Sequence, residues 1–163
     1  MLHTLLYRSI AVHPFPHPSD LEILRSAWEN NRRNGITGYL VRTRNHFVQF
    51  VEGPRDAVHA LQDQLTVDPR HTAFEVLTEG PADTRVFPDW SMGYAEFEED
   101  DVLKLAFLTA VGPATESRRA VPTLLDCMKD IAKRRGAHSG RAMAVGKRRA
   151  SMHDADVEQD RVV

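Results

Sequence analysis

The amino-acid sequence predicts an α+β fold built on a ferredoxin-like sheet, with the element order β-α-β-β-α-β-β. Three observations support this prediction. Two amphipathic helical patterns each follow a strand-like run, two central strand-like runs are joined by only a short connection, and 42% of the 163 residues are hydrophobic, enough for a sizeable core. We expect both helices on one face of the sheet and a C-terminal helical pair on the other.

The first strand and the first helix are predicted within the first 35 residues. Residues 2–7 are a short, mostly apolar run, and residues 9–18 contain three prolines, which is typical of an irregular loop. Ser19 is the predicted N-cap of the helix, with Glu22 completing a capping box. Asn34-Gly35 is a stop signal. The apolar stripe of this helix is predicted to consist of Leu21, Leu24 and Trp28, flanked by Ile23 and Ala27.

The centre of the chain predicts a hairpin followed by a second helix. Residues 36–43 and 47–52 are β-type runs, and the three residues between them favour antiparallel pairing. Gly53-Pro54 opens the helix, because proline fits the first helical position. The pattern ends at Asp68-Pro69. The apolar stripe of the second helix consists of Ala57, Val58, Leu61 and Leu65.

Two more strands and two covering helices are predicted after the second helix. Residues 73–78 are the fourth strand and residues 90–97 the fifth. Helical patterns follow in 102–111 and 121–132, with Pro113 between them. We therefore divide the chain into a core (1–97), cap helices (98–135) and a disordered tail (136–163).

Composition and charge restrict the class of protein. The single cysteine, Cys127, has no partner for an internal disulfide or a thiolate metal site. No apolar run reaches the length of a membrane span, and the N-terminus lacks the h-region of a secretory signal, so we expect a cytoplasmic protein. Residues 132–150 contain seven basic and no acidic residues, whereas 1–131 are acidic overall. A basic nucleic-acid-binding body is thereby excluded, although a basic tail is not.

Several polar residues stand in positions that predict burial. Gln49 interrupts a strand that is otherwise apolar on both faces, and a buried amide needs partners, either neighbouring protein groups or a bound ligand. Tyr7 needs a partner for its hydroxyl, although on its own it is also consistent with a core tyrosine. Asn30 and Asn31 lie in the last turn of the first helix, where they serve either as a helix ending or as paired amide donors and acceptors.

Other residues permit a structural or a functional interpretation. Trp90 and Met92 are two apart on the predicted fifth strand, so we expect them to point to one face, as core or otherwise. Arg70 and His71 are consistent with a solvated loop. Residues 35–38 are too short for a nucleotide-binding signature, and the prolines of residues 13–17 are incompatible with helical metal ligation. We therefore predict no metal site and no catalytic triad.

Five separated motifs lie along the first part of the chain. They are Leu6-Tyr7-Arg8-Ser9, Asn30-Asn31 with Asn34-Gly35-Ile36-Thr37-Gly38, Phe47-Val48-Gln49-Phe50-Val51-Glu52-Gly53, Asp68-Pro69-Arg70-His71, and Phe87-Pro88-Asp89-Trp90-Ser91-Met92. Taken together, these motifs resemble the BLUF family of blue-light sensors that bind FAD in a modified ferredoxin-like fold. The resemblance spans about residues 1–97 and is specific because the motifs agree in order and spacing.

The resemblance implies a role for each candidate residue. Tyr7 is the expected electron and proton donor to the excited flavin, and Gln49 is expected to bridge Tyr7 and the flavin N5/O4 edge. Trp90 and Met92 are the expected signal relay. The residues expected to bind the cofactor, besides Gln49, are Asn31 at the C4=O/N3 edge, Arg70 at C2=O, Ile23 and Leu65 as apolar flanks, Asn30 and His71, and, from charge and position, Arg32 and Arg33 toward the phosphates.

We therefore expect a blue-light photoreceptor with FAD as its cofactor and no enzymatic output of its own. Its signal is expected to leave through contacts, either in a homo-oligomer or with a downstream signalling protein. A third possible surface is the basic tail, around Lys147-Arg148-Arg149, toward nucleic acid or anionic lipid. Two alternatives from other classes are an acylphosphatase-like hydrolase on a ferredoxin-like fold and a flavin-free interaction module.

Overall fold

A computed structural model describes residues 1–96 and 119–134 of the chain. Its elements follow the predicted order, as β1 (Leu2–Ala11), α1 (Pro18–Arg33), β2 (Thr37–Arg42), β3 (His46–Pro54), α2 (Arg55–Thr66), β4 (His71–Ala82) and β5 (Gly93–Glu96). Residues 121–134 form a further helix, α3. The first predicted cap helix (102–111) and the predicted tail lie outside the described residues.

The five strands form one sheet in the order β4-β1-β3-β2-β5. β1 pairs antiparallel with both β3 and β4, β2 pairs antiparallel with β3, and β5 pairs parallel with β2. The sheet therefore contains two split β-α-β units, β1-α1-β2 and β3-α2-β4. β3 lies between the two strands of the first unit, and β1 lies between the two strands of the second. This topology confirms the predicted α+β, ferredoxin-like class.

The two faces of the sheet carry separate hydrophobic clusters. Leu5 and Tyr7 belong to the cluster beneath α2, whereas Leu6, between them, belongs to the cluster beneath α3. We call these the helical face (α1 and α2) and the cap face (α3). On α3, the side chains of Leu124 and Met128 are 1% and 0% exposed. This helix therefore covers the face predicted for the cap helices.

The start of α1 differs from the prediction. His17, not Ser19, is the N-cap: its Nδ1 accepts from the Ser19 backbone N–H at 3.2 Å. The capping box is completed by Asp20, which accepts from the His17 backbone N–H at 3.0 Å, rather than by Glu22. The helix starts earlier because Pro18 occupies its first turn, where its missing N–H costs nothing.

The buried side of α1 also differs from the prediction. Leu21 and Trp28 are 73% and 59% exposed, so they do not form the stripe that faces the sheet. Ile23 and Ala27, expected only to flank that stripe, face inward instead. The helix ends at Asn34 as predicted, with Gly35 at a φ of 65°, in the left-handed region that favours glycine.

The fifth strand begins three residues later than predicted, and this changes where two residues point. Because β5 starts only at Gly93, Trp90 and Met92 lie in the preceding segment and need not alternate as strand residues do. Trp90 packs against the cap-face cluster and Met92 against the helical-face cluster. The prediction that they share one face is wrong.

Within the described residues, no helix is both long and apolar enough to cross a membrane.

Candidate functional site

A cleft lies between α1 and α2, above the helical face of the sheet. On the α1 side, the cleft is lined by Ile23, Ala27, Asn30 and Asn31, which follow the spacing of one helical face. On the α2 side it is lined by Leu61, Gln64 and Leu65. Its two walls are thus mainly apolar, and amides stand at the end of α1.

The floor of the cleft carries a buried pair of polar side chains. Tyr7 on β1 and Gln49 on β3 are direct partners in the register of the two strands. Tyr7 is 3% exposed and Gln49 is 4% exposed. The Tyr7 hydroxyl donates a short hydrogen bond to Gln49 Oε1. Gln49 Nε2 donates to Met92 Sδ at 3.3 Å. Both ends of the amide are therefore engaged.

Burial keeps the Tyr7 phenol protonated. Desolvation, with a smaller contribution from the Asp68 carboxylate, raises the pKa of Tyr7 well above its ordinary range, and Arg70 opposes this shift. A neutral phenol holds its proton and can donate it to Gln49. The electrostatics therefore favour the hydrogen-bond direction that the geometry shows.

An ion pair stands at the mouth of the cleft, in the turn between α2 and β4. Arg70 Nε donates to Asp68 Oδ1 at 2.9 Å, and the Arg70 backbone N–H donates to the same oxygen at 2.9 Å. This hydrogen bonding lowers the pKa of Asp68 and raises that of Arg70. The pair holds the guanidinium at the cleft, because both carboxylate oxygens accept from Arg70 Nε.

His71 is buried beside this pair, and neither of its ring nitrogens has a hydrogen-bond partner among the described residues. Its ring lies near those of Tyr7 and Phe47. Burial lowers the pKa of His71, although Asp68 opposes the shift. The ring is thus a neutral donor and acceptor on the wall of the cleft.

Asn31 connects the cleft with the segment before β5. Its side chain is 2% exposed, and Nδ2 donates to the Ser91 backbone oxygen at 3.1 Å. Its own backbone oxygen accepts from Ile36 N at 2.9 Å, where the chain leaves α1. The segment that contains Ser91 and Met92 therefore contacts two residues of the cleft, Asn31 and Gln49.

The structure brings most of the predicted site residues to this single cleft. The predicted residues that line it are Tyr7, Ile23, Asn30, Asn31, Gln49, Leu65, Arg70 and His71. Arg32 and Arg33 are exposed and do not line it, so their assignment to phosphates stays a prediction. Met92 reaches the cleft through Gln49, whereas Trp90 lies on the cap face.

Sequence reasoning missed other residues of the cleft. Ser26 lies three residues after Ile23, so the helical period could have revealed it once Ile23 was placed inward. Gln64 precedes Leu65 on α2 and was absent from the apolar stripe because it is polar. Asp68 was interpreted as a helix stop, and only its contact with Arg70 shows that it holds that guanidinium.

Comparison with known families gives one match over more than half of the chain. The family described as "Sensors of blue-light using FAD" (BLUF) matches residues 2–93. This range includes both helices beside the cleft and the Tyr7–Gln49 pair.

Individual relatives and solved structures agree with this match. The chain is 38% identical over 98 residues to the photoactivated adenylate cyclase subunit beta of Euglena gracilis, covering 60% of this chain and 11% of that protein. It is 33% identical over 110 residues to the blue light- and temperature-regulated antirepressor BluF of Escherichia coli, covering 66% of this chain and 27% of that protein. It also resembles the dark-state structure of BlrB, a BLUF protein, with a TM-score of 0.66 and 34% identity over 79% of this chain and 96% of that one.

Proposed function

This chain belongs to the BLUF family of blue-light sensors that use FAD, and from that premise we propose that the cleft between α1 and α2 holds the isoalloxazine ring and that Tyr7 and Gln49 form its light-driven switch. The observation that carries this proposal is the hydrogen-bonded chain from Tyr7 to Gln49 to Met92 on the floor of the cleft.

The chemistry of the cleft fits a flavin ring. Ile23 and Leu65, on opposite helices, supply apolar flanks for a flat aromatic group. Asn31 and Arg70 supply polar groups for its carbonyl and N–H edge. The two buried nitrogens of His71 lack a hydrogen-bond partner within the described part of the chain, and a buried polar group without a partner is costly, which supports a ligand beside it.

The switch follows from the chemistry of the two side chains. Bound FAD supplies absorption of blue light and an excited state that accepts an electron. The Tyr7 phenol gives up an electron and its hydroxyl proton and takes both back, so no bond is changed at the end. Gln49 exchanges its donor and acceptor ends by rotation or tautomerisation. The hydrogen bonds around the amide are rewired without net chemistry.

The weaker hydrogen bond of Gln49 makes it suited to this exchange. A thioether sulfur is a weak acceptor, so the bond from Nε2 to Met92 is easier to break than a bond to a carbonyl. Rewiring of the amide therefore changes the contact with Met92. We propose that Met92, and Trp90 two residues before it, pass this change to β5 and to α3 on the cap face.

We propose that the signal leaves through contacts with a second copy or a downstream protein, without an enzymatic reaction in this chain. The chain spans only 11% and 27% of the lengths of the cyclase subunit and the antirepressor, so their outputs are properties of those proteins. Light scattering by the full chain in darkness and under blue light tests this: a reversible change in molar mass supports an oligomeric route, and an unchanged mass favours a separate partner.

The visible spectrum of the purified protein tests the sensor itself. We expect bound FAD and a red shift of its absorption under blue light that reverts in darkness. A colourless preparation that cannot be loaded with FAD would contradict the assignment of the cleft. Bound flavin with no reversible shift would contradict only the Tyr7–Gln49 switch.

A further inference from the structure

Glu52 is a buried carboxylate outside the cleft, three residues after Gln49 on β3. None of its surface is exposed. Oε2 accepts from the Val86 backbone N–H at 2.7 Å, and Oε1 accepts from the Phe87 backbone N–H at 2.6 Å. Hydrogen bonds to a charged oxygen are short and strong, and burial of a carboxylate is tolerated only when it is satisfied in this way.

Arg85 reinforces the same contact. Its Nη1 donates to Thr37 Oγ1 at 2.7 Å and to the Glu52 backbone oxygen at 2.8 Å, and its Nη2 donates to the Gly35 oxygen at 2.7 Å. The Thr37 hydroxyl in turn donates to Glu52 Oε1 at 3.2 Å. We call Glu52, Thr37 and Arg85 the Glu52 clamp. It attaches residues 85–87 to β2 and β3.

The other end of the clamped segment carries the relay residues. The Trp90 oxygen accepts from Gly38 N at 2.9 Å, which holds this residue against β2. A Cβ on Gly93 would lie 2.3 Å from the Trp90 ring and 2.3 Å from that of Tyr39, so the ring of Trp90 is closely packed on the cap face. Met92 meanwhile reaches Gln49 on the opposite face.

Both ends of the segment are therefore attached to one strand. Gln49 and Glu52 stand about 10 Å apart along β3, because each strand residue advances about 3.3 Å. A rigid strand that holds the segment at Val86 and Phe87 restricts where Met92 can lie relative to Gln49. Release of the attachment at Val86 and Phe87 leaves the segment held at its far end, by the contacts of Trp90, Ser91 and Met92.

We propose that Glu52 is a positioning residue for the photochemical switch: through the Glu52 clamp it holds the segment 86–92 so that Met92 faces the Gln49 amide and Trp90 stays on the cap face. This role rests on the proposed function. It adds a residue that touches neither the cofactor nor the Tyr7–Gln49 pair.

Two substitutions test the Glu52 clamp. Glu52→Gln replaces one acceptor oxygen by an amide N–H2 that faces backbone donors. Arg85→Ala removes only the half-buried outer part of the clamp, and serves if Glu52→Gln does not fold. Glu75→Gln is the matched control, since it removes a carboxylate that pairs with Arg8 at 2.7 Å on β4, the strand at the opposite edge of the sheet from β5.

Fluorine NMR of dark-state protein labelled with 5-fluorotryptophan gives a readout separate from photochemistry. The chain has two tryptophans, and Trp28→Phe in every sample leaves Trp90 as the single reporter. We expect the Trp90 resonance to shift or broaden in Glu52→Gln and in Arg85→Ala, and to stay unchanged in Glu75→Gln. An unchanged resonance in both clamp variants would overturn the proposal.

Dark recovery tests whether the clamp acts through Met92. We expect both clamp variants to recover about three- to tenfold faster than the parent protein, because the barrier falls when Met92 is no longer held. In a Met92→Ala background the same substitutions should change recovery less than twofold. An effect of full size in that background would overturn the role. A parent protein that binds FAD and does not photocycle would contradict both the proposed function and the role of Glu52. A parent protein that photocycles, with clamp variants that recover at the same rate, would contradict the role of Glu52 alone.

Discussion

Gln49 has both ends of a buried amide occupied by partners of different strength. Its oxygen accepts from the Tyr7 hydroxyl and its nitrogen donates to a thioether sulfur. An unsatisfied buried amide costs about 1 to 3 kcal/mol, so Gln49 is retained in an apolar strand only with such partners. Because the bond to the Met92 sulfur is the weaker of the two, it is the bond that the amide gives up more easily. Tyr7 and Gln49 are therefore the residues for which substitution and measurement are most informative.

Tyr7→Phe and Gln49→Leu are each expected to abolish the reversible red shift and to retain FAD. Tyr7→Phe keeps the ring and removes the hydroxyl that supplies the proton, whereas Gln49→Leu removes both ends of the exchanging amide. Cofactor retention follows because the proposed contacts of Asn31 and Arg70 remain. Absorption spectra before and after blue light, with the FAD content per chain, measure both outcomes. A full reversible shift in either variant would contradict the assigned roles.

His71 predicts a pH dependence of stability. Burial lowers its pKa below the ordinary value of 6.5, so the unfolded chain binds a proton more readily than the folded chain. The contribution of His71 to the free energy of unfolding is therefore fully present above about pH 6.5, and it is lost as the pH falls below that value. Asp68 and Arg70, which face the ring, affect its pKa in opposite directions.

Urea unfolding between about pH 5 and pH 8 measures this contribution. His71→Asn should lose less stability than the parent protein on acidification, because its unfolded state no longer gains that proton. Burial also lowers the pKa of His3 and of His46, so part of the acid sensitivity persists in the variant. Above about pH 7.5 the two proteins should show the same slope. A variant as acid-sensitive as the parent would show that His71 does not contribute.

The elements are joined by buried polar contacts as well as by apolar packing. Arg42, at the end of β2, is fully buried and donates from Nε to Asp20 in the first turn of α1 at 3.0 Å. Its other nitrogens donate to the backbone oxygens of His13, Thr43 and Arg44, and its guanidinium lies 4.4 Å from the Phe47 ring centroid. This side chain therefore holds the N-terminal end of α1 against the sheet, beside the cleft.

Arg42→Met is expected to lower the free energy of unfolding by about 3 to 5 kcal/mol, because the buried Asp20 carboxylate loses its counter-charge. Arg25→Met, which removes the arginine of an exposed ion pair on α1, is the control. The Arg25–Glu29 pair is exposed, and such pairs contribute about 0 to 1 kcal/mol. Urea unfolding followed by circular dichroism measures both variants. Equal losses in the two would contradict the structural role of the buried pair.

At the scale of the described molecule, one sheet separates two packed faces. The helical face carries the cleft, and the cap face carries α3, packed through Leu124, Met128 and Ile131. The segment 86–92 contacts both, since Trp90 lies on one face and Met92 on the other. The hydrogen bond from Gln49 to Met92 and the backbone from Met92 to Trp90 thus connect the floor of the cleft with the cap face.

Leu124→Ala tests this separation. The side chain is 1% exposed, and its truncation should lower the free energy of unfolding by about 2 to 5 kcal/mol through lost burial and a cavity. The light-induced red shift should keep its size, because the cleft lies on the opposite face. Thr123→Ala, at the exposed neighbouring position, should leave both quantities unchanged. A diminished red shift in folded Leu124→Ala would show that the two faces are not independent.

Much of this architecture could be predicted from local patterns. The helical spacing of α2, the short connection between β2 and β3 and the stop signal at Asn34-Gly35 each depend on neighbouring residues, and each was confirmed. Gln49 stood out because a single amide interrupts an apolar strand, and the structure shows it buried beside Tyr7. Such features are local, since side-chain period and backbone preference are set within a few residues.

Contacts between distant residues could not be predicted in this way. The inward side of α1 depends on which residues of the sheet and of α2 lie opposite the helix. The faces of Trp90 and Met92 depend on where β5 begins, and this strand begins at Gly93, which pairs with the distant Tyr39 of β2. The sequence establishes the elements and the unusual residues because periodicity and backbone chemistry are local. Their partners, and hence the cleft and the Glu52 clamp, exist only once the sheet brings distant strands into register.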